Sequence, residues 1–92
     1  MSRVADNAPA SRYELTVDGK RLGTITYERD GDVIDMQHTI VDPNHQDEGL
    51  GSELVAGALD DARSNGLRVK PTCGFVAAYI REHPAYADLV VG

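Results

Sequence analysis

The chain has 92 residues, enough for one hydrophobic core and not for two. With 9 Lys and Arg against 15 Asp and Glu, the formal net charge is −6, and no basic run could form a nucleic-acid footprint. The single cysteine, Cys73, rules out an intramolecular disulfide, and no apolar run is long enough to span a membrane, so a cytoplasmic globular domain is expected. An acidic surface favours cationic partners such as amines or basic peptides.

Residues 1–10 (MSRVADNAPA) are small, polar and proline-bearing, and they read as a disordered lead-in with no secretory signal. The folded domain is expected over residues 11–92. From Ser11 the pattern alternates, with Tyr13, Leu15 and Val17 on one face of a strand. Asp18-Gly19 is a hairpin signal. The return strand covers about Arg21 to Glu28, and a second turn at Arg29–Asp32 leads to a third strand, Val33 to Val41. Strict alternation puts Ile34, Met36, His38 and Ile40 on one face of that strand, the face expected to be buried.

After a polar loop, Leu54, Val55, Ala58, Leu59 and Ala62 recur at helical spacing, and Asn65-Gly66 supplies the stop. Leu67 to Pro71 is a short extended run. A strand after a helix that itself follows a strand predicts a right-handed crossover and parallel pairing with the third strand. A second helix follows, with Phe75, Val76, Tyr79 and Ile80 as its apolar stripe, and His83-Pro84 ends it. The expected fold is mixed α+β: a three-stranded antiparallel meander, then helix, parallel strand and helix (βββαβα).

Three features carry possible chemistry. Gln46-x-x-Gly49-x-Gly51 stands between a strand and a helix, where unpaired backbone N–H groups and the helix dipole favour a diphosphate; a plain glycine-bearing loop is the ordinary alternative. His38 suits a general base, against the commoner fate of a hydrogen-bonded core histidine. Cys73 opens a helix, which lowers a thiol pKa, against the usual fate of a small buried residue. The third and last strands are predicted neighbours, so His38 and Cys73 could meet as a nucleophile–base pair. Tyr79 reads as core or as a hydroxyl aimed into a site, and His45 and His83 as solvated or capping residues. No metal-ligand spacing appears.

Together these segments resemble the GCN5-related N-acetyltransferase (GNAT) superfamily, and most of all its small single-domain branch. The resemblance is carried by His38-Thr39, Gln46–Gly51, Ala62-Arg63, Pro71-Thr72-Cys73-Gly74-Phe75-Val76 and Tyr79-Ile80-Arg81-Glu82-His83-Pro84. It implies acetyl-CoA as cosubstrate and transfer of its acetyl group to an amine acceptor. Gln46, Asp47, Glu48, Gly49, Leu50, Gly51 and Ser52 would hold the pyrophosphate, and Thr39, Ile40 and Val41 would lie along the pantetheine. His38 and Cys73 would be the active-site pair, with Tyr79 as a proton donor to the departing thiolate. The chain departs from larger members in lacking the helices that shape the acceptor pocket, so that pocket would be open or completed by another chain, in a monomer or weak homodimer. Asp47 and Glu48 also stand where basic residues are common. A non-catalytic CoA-binding accessory or sensor domain is the alternative, and an interaction domain without a cofactor is a third reading.

Overall fold

Alternating apolar and polar residues build the sheet. In the computed structural model, which describes residues 1–91, five strands lie in the order β1 (Ser2–Asn7), β2 (Arg12–Val17), β3 (Lys20–Asp30), β4 (Val33–Val41) and β5 (Arg68–Pro71). The first four pair antiparallel and β5 pairs parallel to β4. The β2–β3 turn is the expected hairpin: Asp18 and Gly19 both take positive φ, 50° and 84°, which matches the right-handed twist of the flanking strands. The sheet is mixed α+β in company with two helices, α1 (Leu50–Ser64) and α2 (Gly74–Glu82).

One core joins the helices to one face of the sheet. Tyr13, Leu15, Ile25, Ile34, Met36 and Val69 meet Leu54, Val55, Ala58, Leu59 and Ala62 of α1 and Val76 and Ile80 of α2. After α2 the chain forms a 3-10 turn, Pro84–Leu89, and Val90 bridges to Val69 in parallel. This tail is tied to α1 by Tyr86, whose hydroxyl donates to Asp60 Oδ1 at 2.8 Å, and by Arg63, which donates to both carboxylate oxygens of Asp88.

Two expectations need correction. Residues 1–10 are not a disordered lead-in, because Ser2–Asn7 form a full ladder with β2 and make the meander four-stranded. The polar composition concealed three anchors. Val4 packs against the helix backbone at Gly57, Ser2 Oγ donates to Glu53 of α1 at 2.9 Å, and the Tyr27 hydroxyl donates to Asp6 at 2.6 Å.

The second correction concerns β4. Its register against β3 shifts: Tyr27 lies opposite Met36 and Thr26 opposite His38, which leaves Gln37 without a partner. This is a β-bulge, and one extra residue reverses which side chains face the core. Ile34 and Met36 are buried before it; after it Thr39, opposite the buried Ile25, and Val41 face the helices. His38 and Ile40 turn to the other face, where His38 is exposed and Ile40 is 61% exposed.

Candidate functional site

The loop after β4 is built to end a strand and start a helix. The Asp42 N–H donates to Leu22 O at 2.7 Å, and its carboxylate accepts from the Asn44 N–H at 2.9 Å. Pro43–Glu48 then form a 3-10 turn. Gly49 joins that turn to α1 at φ 73°, a conformation that strains any residue with a Cβ. No side chain caps α1. The bond from the Glu53 N–H to Gly49 O opens the helical ladder, so the amides of Leu50, Gly51 and Ser52 have no partner within the helix.

Gly51 and Ser52 border a cleft of about 380 Å³ between the start of α1, the end of β4 and the start of α2. Thr39 and Val41 form one wall, Gln46, Gly49, Gly51 and Ser52 another, and Phe75 stands at the α2 side. Most of the residues expected along an elongated ligand are thus together. Four are not among the lining. Ile40 lies on the far side of the sheet in a separate recess with Arg21, Thr24 and Asp42. The Leu50 side chain is buried in the core. Asp47 and Glu48 point to solvent, and Glu48 sits 2.8 Å from His45 Nδ1. The two carboxylates therefore do not line the cleft.

Cys73 stands at the N-terminus of α2, where its own N–H donates to Met36 O at 2.8 Å. Its Sγ is 3.4 Å from Thr39 Oγ1. Burial acts to raise the thiol pKa, but the hydrogen bond with Thr39 and the backbone N–H groups of Val76 and Phe75 outweigh it, and the net shift is downward. Hydrogen bonds that favour the thiolate are what a nucleophilic cysteine needs. The bulge gives Cys73 a threonine neighbour in place of the histidine. His38 sits on the opposite face, in the row Arg12–Thr26–His38 across β2, β3 and β4. Tyr79 is half-buried against the core and stacks on His83, ring centroids 3.9 Å apart. His83 Nδ1 lies 2.9 Å from the Tyr79 carbonyl, which makes it a partner for the end of α2.

One cleft residue was missed from the sequence, and one was named without its contact to the thiol. Phe75 was assigned to the apolar stripe of α2 but is 46% exposed and lines the cleft. Its direct neighbour Val76 takes the core position instead, a choice the shared helical stripe could not make. Thr39 was expected along the ligand but not beside the thiol. The signal that could have paired them is the bulge, and bulges leave no periodic trace.

The structure thus combines a bulged fourth strand, a parallel fifth strand and a cleft at the uncapped start of the intervening helix. The family model described as GCN5-related N-acetyl-transferase matches residues 12–89, and the chain belongs to that family. Among named proteins it is similar to mouse Protein NATD1, 31% identical over 84 residues, which is 89% of this chain and 76% of the mouse protein. Among solved structures it is similar to a GCN5-like protein from Staphylococcus aureus determined by NMR. That match has a TM-score of 0.71 and 23% identity, and covers 98% of this chain and 88% of the other. N-acetylglutamate synthase from Neisseria gonorrhoeae, solved with coenzyme A and N-acetyl-glutamate, matches with a TM-score of 0.54 and 27% identity over 64% of this chain and 15% of that one.

Proposed function

We propose that the protein transfers the acetyl group of acetyl-CoA to an amine. The observation that carries this reading is a single cleft with uncapped helix amides at one end and a polarised thiol just beyond the other. The coenzyme A complex of the Neisseria neighbour supports the ligand class. The residues fit such a ligand. The amides of Leu50, Gly51 and Ser52 and the Gln46 side chain would hold the pyrophosphate, free of any lining carboxylate. Thr39 and Val41 would run beside the pantetheine. When bound, the thioester supplies an activated acetyl carbonyl.

Two routes use this chain's residues differently. In direct transfer, His38 would take the proton of the acceptor ammonium from the exposed face of the sheet; the free amine would attack the carbonyl, the thioester C–S bond would break, and CoA would leave as the thiol with the amine's second proton. The acceptor would approach past the free edge of β4, where its pairing with β5 ends at Met36 and Pro71. In the covalent route, the Cys73 thiolate attacks the carbonyl and expels the CoA thiolate, and the amine then displaces the Cys73 sulfur. The depressed Cys73 thiol favours the second route. Tyr79, expected as proton donor to the departing thiolate, is not among the residues that line the cleft.

An NMR titration with acetyl-CoA tests the binding claim. Shifts are expected at Thr39–Val41, Gln46–Ser52 and Cys73–Tyr79, and their absence at millimolar ligand would overturn it. Turnover by Cys73→Ala equal to wild type would exclude the covalent route. The second reading, a CoA-binding module without catalysis, is favoured by one observation: the sheet face bearing His38 and Ile40 is exposed, and the recess beside Ile40 is not lined by His38. A screen of amines and basic peptides giving turnover above solvent hydrolysis would sink it.

A further inference from the structure

We propose that Phe75 is a binding residue for the pantetheine arm of the cosubstrate, and that this contact is separable from recognition of the phosphates. The inference rests on the acetyl-CoA reading and assigns a residue to it. Phe75 has no place in the core: its neighbours on α2, Val76 and Ile80, are 0% and 7% exposed, whereas the phenylalanine is 46% exposed at the cleft.

A lone exposed aromatic is ordinary. This one is held in place. A Cβ built on Gly51 would stand 3.0 Å from the ring Cζ and 3.2 Å from Cε2. The ring therefore lies directly against the backbone of the first turn of α1. Gly51 takes no positive φ, unlike Gly49, so its missing side chain is explained by the ring that occupies the space. The Gly-x-Gly pair divides into two jobs, one for chain direction and one for seating Phe75.

The position of the ring sets what it would touch. It lies beside the amides of Gly51 and Ser52, and its own backbone is two residues from Cys73. A ligand with its pyrophosphate on those amides and its thioester near Cys73 must cross the ring with the segment between. In CoA that segment is pantetheine, with a geminal dimethyl group, methylenes and two amides. An aromatic face contributes apolar burial to such a chain and nothing specific to a phosphate.

The test compares acetyl-CoA with ADP, which carries the diphosphate without the pantetheine arm. Both are titrated by NMR, read at the Gly49–Ser52 amides, into wild type, Phe75→Ala and Phe75→Leu. Phe75→Ala is expected to weaken acetyl-CoA about tenfold and to leave ADP within about twofold. Phe75→Leu should fall between, with its unfolding midpoint unchanged. Equal loss for both ligands would overturn the proposal, since the ring would then serve only to shape the first turn of α1. Unchanged acetyl-CoA affinity in both variants would overturn it too, while leaving the acetyl-CoA reading intact. Failure of wild type to bind acetyl-CoA overturns both.

Discussion

The packing of β1 on α1 makes an opposite prediction from the one composition suggests, and one substitution separates them. Gly57 lies in the middle of α1. On an exposed helix surface Gly→Ala stabilises by about 1 kcal/mol, through helix propensity. That gain is expected of Gly57→Ala if residues 1–10 are a disordered lead-in. In the structure the new Cβ would stand 2.6 Å from both Val4 Cβ and Val4 Cγ2, and 3.0 Å from Cγ1. Val4 Cβ is fixed to the β1 backbone, so rotating a side chain cannot relieve the clash. Either β1 or α1 must shift. Overpacking of this kind costs about 1–3 kcal/mol, and displacing β1 also weakens the Tyr27–Asp6 bond, worth about 1 kcal/mol. Subtracting the propensity gain leaves a net loss of about 1–3 kcal/mol. For a domain of this size that lowers the melting midpoint by about 4–24 °C. Thermal and urea unfolding followed by circular dichroism measure it. Val4→Gly removes the obstructing Cβ, so in that background Gly57→Ala should be neutral or stabilising. A wild-type background in which Gly57→Ala raises the midpoint refutes the docking of β1.

Other expectations are more local. Alkylation of Cys73 by iodoacetamide should reach half its maximal rate at a lower pH than an ordinary thiol, and Thr39→Val should move that midpoint upward, since the threonine hydroxyl is one of the groups that lower the pKa. His38→Ala should reduce turnover by roughly 10²–10⁴-fold in direct transfer while leaving acetyl-CoA affinity unchanged, which steady-state rates and an NMR titration together report. Burial and the hydrogen bond its hydroxyl donates to Asp61 raise the Tyr13 pKa, burial and the bond to Asp6 raise that of Tyr27, and the bond to Asp60 followed by burial pushes Tyr86 up to about 12. Groups whose folded pKa is raised stabilise fully below the unfolded value and lose that contribution as pH rises, so urea-unfolding stability should fall from about pH 10 upward. A flat profile between pH 10 and 12 would contradict these three pairings.

Local pattern foretold most of the fold. The β2–β3 hairpin followed from alternation around Asp18-Gly19, α1 from its apolar stripe, and the parallel β5 from the order of elements. What escaped was decided by partners far along the chain. Ser2–Asn7 has one well-packed apolar residue, Val4, and it is a strand because β2 offers a ladder and Gly57 offers space. Asp6 is polar in isolation but useful beneath Tyr27. No window of a few residues contains that information.

The site shows the same division more sharply. Glycines, a proline and a helix start marked the turn from β4 into α1 that borders the cleft, because backbone chemistry is local. Side-chain direction on β4 is not local. A period of two carries every later residue to the wrong face once a single residue is inserted, and Gln37 is that residue. The same insertion that turns His38 outward turns Thr39 toward Cys73. The bulge therefore does more than bend a strand. It puts the thiol and its hydrogen-bond partner on the helix side and the imidazole on the exposed side. An imidazole and a thiol on opposite faces cannot form a directly bonded pair, so the groups that lower the Cys73 pKa are Thr39 and the backbone of α2 and not His38. His38 is left to meet only what approaches the exposed face of the sheet.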